Sequence, residues 1–214
     1  MLKKYRKTLL ITTLVLLLPM VAGAILWNKL PEQLPTHFDA SGEADQFSSK
    51  GFAVFGIPAL LILFHWMCAF GSLRFDPKAA NLQDKVMRIV LWICPVISIL
   101  MSALVLGSGL GWRMPVEVIL PLLIGVIVVI IGNLLPKCKQ TWTLGIKLPW
   151  TLANEDNWNR THRFAAPIWV ACGLVIIAAA FIEGLRMWLI VGALAVIMIA
   201  PTVYSYRAFR SKEK

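Results

Sequence analysis

Six long apolar stretches constrain this chain more than any other feature of its sequence. A helix needs about 20 apolar residues to cross a hydrocarbon layer of roughly 30 Å, and each stretch is close to that length. Strands of a membrane β-barrel would instead show short segments of alternating polarity. The pattern therefore predicts an all-α membrane protein, a bundle of six transmembrane helices. The predicted spans cover approximately residues 9–27, 52–73, 89–107, 118–135, 164–182 and 187–206.

The composition agrees with a membrane protein. Hydrophobic residues make up 58% of the 214 positions and charged residues 15%, against about 25% charged in an average soluble domain. A soluble domain of this size has too little interior to bury so much apolar surface. This excludes a soluble enzyme, a disordered tail and a nucleic-acid-binding domain, although the net charge of +10 would otherwise suggest nucleic acid. We expect membrane lipids, and no nucleic acid, as direct partners.

The distribution of basic residues predicts the orientation. All but four of the 21 Lys and Arg residues lie in the N-terminal segment, in the second and fourth loops or in the C-terminal tail. Cytoplasmic segments of membrane proteins are enriched in Lys and Arg. We therefore predict that both termini are cytoplasmic. The four exceptions are Lys29, Lys50, Arg113 and Arg186.

The N-terminus also has features of a secretory signal peptide. Basic residues 3–7 precede an apolar run that reaches the small residues Ala22-Gly23-Ala24. The run is longer than a usual signal core and continues to Trp27. We expect it to remain as the first span.

The first polar loop, residues 30–50, is predicted to lie outside the cell. Pro31 and Pro35 predict an extended start, and residues 39–42, Asp-Ala-Ser-Gly, predict a turn. The spacing of its His, Asp and Glu residues matches no metal site. We expect a solvated loop that packs on the helices, or a surface that binds an extracellular ligand. The candidate binding residues are Pro35, His37 and Asp45.

The fourth loop, residues 136–163, is predicted to be cytoplasmic and contains three of the nine tryptophans. Asn154 is predicted to cap the helix that leads into the fifth span. Trp158 and His162, four residues apart, would share one face of that helix. The loop could be an interfacial segment that meets anionic headgroups, or a surface that binds a protein. The candidate binding residues are Lys147, Pro149, Trp150, Trp158, His162 and Arg163.

Two polar residues within the spans raise transport as an alternative function. Intramembrane polar residues are costly and are often functional. We expect His65 to be neutral and hydrogen-bonded to a neighbouring helix, and Asn133 to link helices or cap one. The sequence shows no inverted repeat and no paired broken helices, which are typical of transporters.

The sequence offers little support for catalysis. It contains no HExxH or GxSxG motif, and no Asp or Glu lies in the interior of a predicted span. The four cysteines show no CxxC spacing. We expect neither an enzyme nor a cofactor, a disulfide or a metal site.

Two loop patterns make the chain resemble the SdpI family of membrane proteins. The second pattern is the more specific, because it combines fixed spacing with Trp, Pro and His. The first pattern consists of Leu30-Pro31-Glu32, Pro35-Thr36-His37, Gly42, Asp45 and Lys50. The second consists of Gly132-Asn133, Pro136, the run Gly145-Ile146-Lys147-Leu148-Pro149-Trp150-Thr151-Leu152, Trp158 and Thr161-His162-Arg163. The resemblance implies an N-terminal module over residues 1–75 and a C-terminal module over residues 76–214.

The chain departs from the family pattern at Lys147-Leu148, where the family more often has Arg-Thr. The positive charge is kept, but a bidentate guanidinium and a hydroxyl are absent. A partner that contacts those groups would differ here.

The resemblance implies a protein of the bacterial plasma membrane that gives immunity against a secreted killing peptide. It also implies a receptor that, with toxin bound, holds a small repressor at the membrane and so induces its own operon. Two partners are therefore expected, a peptide toxin outside the cell and a cytoplasmic repressor inside.

Overall fold

The structure is a computed structural model that describes residues 1–211, and most of them are helical. Lys212 and Lys214, which contribute to the predicted basic tail, lie outside the described residues. The elements are α1 (Leu2–Ile25), β1 (Gln33–Phe38), β2 (Ala44–Ser49), α2 (Ile57–Phe70), α3 (Asp84–Gly109), α4 (Val116–Leu134), α5 (Pro149–Ala153), α6 (Glu155–Ala179) and α7 (Arg186–Arg210). Two π-helical turns, Phe52–Gly56 and Gly71–Phe75, extend α2 at its two ends.

Six helices in the described part of the chain are long and apolar enough to cross a membrane, which confirms the number predicted. They are Leu2–Ile25, Phe52–Phe75, Asp84–Gly109, Val116–Lys137, Glu155–Ala179 and Glu183–Arg210. The fifth begins nine residues before the predicted span, because Asn154 starts the helix and its first turns are polar. The first loop contains two strands, so an entirely helical description was incomplete.

Contacts group the chain into two compact units. The first comprises Met1–Phe70 and Arg88–Glu117, and the second comprises Gly71–Met87 and the chain from Val118 onward. The division at residue 75 that the resemblance implies is a division by sequence pattern, and it stays a prediction.

The first unit has its core beneath the two strands. Leu30 and Leu34 pack with Ala53, Val54, Val105 and Leu106 in one buried cluster. Leu34 is fully buried, and its side chain lies where a Cβ on Gly109 would be. A larger residue at position 109 would therefore push β1 away from α3.

The second unit joins α4 to α6 by close backbone contact. A Cβ on Gly125 would lie 2.8 Å from the carbonyl oxygen of Gly173, and one on Gly173 would lie 2.9 Å from that of Gly125. Small residues let helix backbones approach in membrane proteins, where dispersion replaces the hydrophobic effect. Val128, Cys172 and Ile176 then pack with Ala193 and Ile197 of α7.

Candidate functional site

The first loop is a β-hairpin with a tight turn. β1 and β2 pair antiparallel, from Gln33 opposite Ser49 to Phe38 opposite Ala44. In the turn, Asp39 Oδ1 accepts hydrogen bonds from the Ser41 hydroxyl at 2.6 Å, the Ser41 N–H at 2.8 Å and the Glu43 N–H at 3.0 Å. The Ser41 side chain, followed by the backbone donors, holds the pKa of Asp39 below its ordinary value. The predicted extended start and turn are confirmed.

His37 and Asp45, two of the three outer candidates, come together across the hairpin. His37 Nδ1 lies 2.6 Å from Asp45 Oδ1. The two side chains are 57% and 43% exposed, respectively, so a ligand can reach the pair. Pro35, the third candidate, is buried opposite Phe47. Its position favours a role in seating β1 rather than in direct contact.

Lys50 is a buried cation that was not among the candidate binding residues. Its Nζ donates to Glu32 Oε1 at 2.9 Å and to the carbonyl oxygens of Leu30 at 3.3 Å and Trp27 at 3.4 Å. It also lies 4.8 Å from the centre of the Trp27 ring, within the range of a cation–π contact. Lys50 thus ties the end of β2 to the segment after α1. The sequence signals were its place at the end of the first loop pattern and its position as one of four basic residues on the predicted outer side.

Trp158 and His162 lie inside the fourth loop rather than on its surface. Both are at least 99% buried, and their rings stack with centres 4.1 Å apart. The Trp158 indole N–H donates to the Cys138 carbonyl at 2.8 Å. The shared face predicted for these two residues is therefore confirmed. Whether either binds a partner stays a prediction.

Both ring nitrogens of His162 have partners in the loop. The Ile146 N–H donates to Nε2 at 2.9 Å, so this nitrogen is the acceptor. Nδ1 then carries the proton and donates to the Trp158 carbonyl at 2.8 Å. Gly145 makes the approach possible, because its φ is +113° and a Cβ there would lie 2.6 Å from both rings.

The next turn of the loop is fastened to α7. The Trp150 indole N–H donates to Ser205 Oγ at 2.9 Å, and its ring centre lies 5.3 Å from that of Tyr206. Asn157 donates to the Ser205 carbonyl at 3.0 Å. Asn154 caps α6, as predicted, by accepting from the Asn157 N–H at 3.0 Å. Trp150 remains half-buried, so one part of it can meet a partner.

The exposed side chains of this loop are basic and aromatic. Lys147, Pro149 and Arg163, three of the inner candidates, are all exposed. Trp142 was not among the candidates, yet its side chain is 56% exposed. Tryptophan and arginine are enriched at the centres of protein interfaces. Trp142, Lys147, Pro149 and Arg163 are called the exposed loop residues below.

His65 is hydrogen-bonded to a neighbouring helix, as expected. Its Nε2 lies 3.0 Å from the Thr12 hydroxyl. That hydroxyl is also within 2.9 Å and 3.1 Å of the carbonyls of Thr8 and Leu9, to which it can donate. His65 is then the donor through Nε2–H, and its polar group is satisfied inside the first unit.

Asn133 differs from expectation. Its amide donates to the Val129 carbonyl of its own helix at 3.0 Å, and its side chain is exposed. An amide four residues after a carbonyl can reach it within one helical turn, so it neither links α4 to another helix nor caps an N-terminus.

Within residues 1–211, no three His, Cys, Asp or Glu side chains lie close enough together to share a metal ion.

Family models match two parts of this chain. Residues 137–205 match the SdpI/YfhL protein family, and residues 14–62 match a domain of unknown function, DUF1648. The first match contains the whole Trp158–His162 cluster. This part of the chain is therefore similar to the SdpI/YfhL protein family. The family match begins at Lys137, so it includes Trp142 and all six inner candidates.

Two curated proteins are similar to this chain. The immunity protein SdpI of Bacillus subtilis (strain 168) is 26% identical over 205 residues, covering 94% of this chain and 95% of the relative. An uncharacterized protein of Archaeoglobus fulgidus is 36% identical over 87 residues, covering 35% of this chain and 48% of the relative. No solved structure matches the chain.

Proposed function

We propose that this protein protects a bacterial cell against a secreted antimicrobial peptide. The similarity to an immunity protein along nearly the whole chain carries the proposal. Six helices able to cross a membrane support a multi-pass protein at the cell membrane, where such a peptide acts.

Protection is proposed to work by binding the peptide rather than by destroying it. A hydrolase needs a nucleophile or metal beside a general base. In the described residues, the two buried histidines donate to or accept from Thr12, Ile146 and Trp158. The hairpin supports binding, since His37 and Asp45 are exposed on a framework held by Lys50.

We propose that the hairpin faces outward and the fourth loop faces the cytoplasm. The charge distribution supports this orientation, because basic residues concentrate in the segments on the proposed inner side. The exposed loop residues would then meet a cytoplasmic protein. Their basic and aromatic character suits an acidic protein surface, such as that of a repressor held at the membrane when toxin is bound.

Survival under peptide challenge tests the proposed function. A sensitive bacterium without its own immunity gene would express the wild-type protein and be exposed to SdpC-type peptide and to other membrane-active peptides. We expect survival with the wild type and reduced survival with His37→Ala or Asp45→Ala at equal membrane levels. Asp156→Asn is the matched control, because Asp156 is an exposed carboxylate that lies 3.1 Å from the exposed Arg160 in the second unit, away from the hairpin sequence.

Three results would contradict parts of this proposal. No protection by membrane-inserted wild type would reject immunity against these peptides and favour the transport alternative. Cleaved peptide after incubation with the purified protein would reject protection by binding alone. Full protection by both hairpin variants would remove the hairpin pair from the site while leaving immunity in place.

The repressor proposal has a separate test. Cells would be treated with peptide, and proteins of the membrane fraction would be identified by mass spectrometry. We expect peptide to recruit a DNA-binding protein to membranes that hold the wild type but not to those that hold Lys147→Ala. Equal recruitment with both proteins, or none with the wild type, would contradict this role for the loop.

A further inference from the structure

Asp76 is a buried carboxylate directly after the helical segment that ends at Phe75. Only 6% of it is exposed. It lies outside both segments that match family models. Burying a carboxylate costs free energy unless the group accepts several hydrogen bonds. The hydrogen-bond partners of Asp76 therefore indicate its structural role.

The partners of Asp76 lie in the fourth loop. Its Oδ2 accepts from the Trp142 N–H at 3.0 Å, the Thr143 N–H at 3.0 Å and the Thr143 hydroxyl at 2.7 Å. Its Oδ1 accepts from the Lys78 N–H at 2.8 Å. One carboxylate thus fixes two consecutive backbone amides of a segment that has no helix or strand of its own.

A second residue fastens the same two segments beside Asp76. Gln140 is 98% buried, and its side-chain oxygen accepts from Lys78 Nζ. Its backbone carbonyl accepts from Asn81 at 2.8 Å. Its side-chain nitrogen donates to the carbonyls of Thr151 at 2.8 Å and Leu152 at 2.9 Å. Residues 76–81 therefore hold the loop in place by hydrogen bonds on both sides of Trp142.

The hydrogen bonds to Asp76 hold the backbone at Trp142 and Thr143. The side chains of these two residues lie in different environments. Thr143 turns its hydroxyl to the carboxylate, while Trp142 remains 56% exposed. An exposed indole on a fixed backbone loses little conformational freedom when it binds a partner. The arrangement is that of a contact residue held ready for its partner.

We propose that Asp76 is a positioning residue, which fixes the Trp142–Thr143 backbone and so presents the Trp142 ring on the exposed loop surface. This inference rests on the proposed function, in which the exposed loop residues meet a cytoplasmic protein. Asp76→Asn is the informative change. An amide can accept through one oxygen only, so either the loop or Lys78 loses its acceptor.

Hydrogen exchange gives a direct readout that does not require the proposed function. In the purified protein, we expect the amides of residues 142 and 143 to exchange about tenfold faster in Asp76→Asn, because charge-assisted hydrogen bonds are the stronger kind. Thr143→Val removes only the hydroxyl bond and should give a smaller increase. Asp156→Asn, the control, should match the wild type. Unchanged exchange in Asp76→Asn would overturn the proposal.

Epistasis in the recruitment assay separates positioning from general stability. We expect Asp76→Asn and Trp142→Ala each to reduce peptide-induced recruitment at equal membrane levels, and the double variant to recruit no less than Trp142→Ala alone. A double variant that recruits less than both singles would overturn positioning, because Asp76 would then act independently of Trp142. Recruitment by Trp142→Ala equal to that of the wild type would overturn the presenting role as well. If the wild type itself recruits no protein, the proposed role of the loop fails and the exchange result alone decides whether Asp76 fixes the loop.

Discussion

His162 and Gly145 depend on each other for their packing in the fourth loop. The imidazole accepts from a backbone N–H through one nitrogen and donates to a carbonyl through the other. Protonation of Nε2 would place a donor against the Ile146 N–H, so this contact requires the neutral ring. The loop backbone can pass over the ring only because position 145 has no Cβ. His162 and Gly145 therefore fix the backbone conformation of the fourth loop.

Gly145→Ala should destabilise the second unit. The new Cβ would lie 2.6 Å from His162 Nε2 and from the Trp158 ring, at a φ of +113°. We expect the free energy of unfolding to fall by at least about 2 kcal/mol, because of backbone strain and the displaced rings. Thermal unfolding in detergent would measure it. Gly192→Ala is the matched control, because a Cβ there meets nothing within 4 Å. Equal midpoints for the two variants would contradict the packing described.

The Cys138 thiol should react slowly and only at high pH. Burial raises the pKa of Cys138 to about 11, since a thiolate is poorly solvated there. In a protein whose other cysteines are replaced by alanine, its alkylation rate should still be rising between pH 9 and about pH 11. An added cysteine at the exposed Lys139 should level off nearer its ordinary pKa, about 8.5. A plateau for Cys138 below pH 9 would be inconsistent with its burial.

At the scale of elements, the hairpin is held less by its two strands than by its ends. A two-stranded hairpin is marginal alone in water. Here Leu34 enters the core of the first unit and Lys50 bonds back to the segment after α1. The hairpin therefore has a fixed position from which His37 and Asp45 can meet a ligand.

Lys50→Met tests the contribution of the buried cation to the hairpin. The methionine keeps the apolar stem but removes the ammonium donor from the Leu30 carbonyl and one of two donors from the Trp27 carbonyl. We expect the free energy of unfolding to fall by about 1–3 kcal/mol, and amide hydrogen exchange to be faster across residues 33–49. Lys29→Met, at an exposed lysine, is the control. Exchange unchanged from wild type in Lys50→Met would show that Leu34 suffices to hold the hairpin.

At the scale of the whole molecule, orientation is the property on which every functional proposal depends. A cysteine at the exposed Ala40, in a protein without its native cysteines, should react with an impermeant maleimide in intact cells. One at the exposed Glu155 should react only after the membrane is opened. Glu155 is a better probe than Asn154, whose side chain caps α6. The reverse labelling pattern would contradict the proposed orientation and place the hairpin in the cytoplasm.

Local chemistry explains which features could be predicted from the sequence. Six spans, the Asn154 cap, the turn at Asp39 and the shared face of Trp158 and His162 depend on composition or on residues within four positions. The strands of the hairpin were missed, because short polar strands carry a weak pattern and depend on a core beneath them.

The number and positions of the six membrane-length helices, and the two loops that carry polar chemistry, follow from the order of the amino acids alone. Hydrophobic length and local capping are properties of adjacent residues, so no fold is needed to recognise them. Folding sets which polar residues remain available. It buried His162 and Trp158, joined His37 to Asp45 and placed Asp76 against a loop 66 residues away. Burial and pairing depend on contacts between distant segments, which no local pattern encodes.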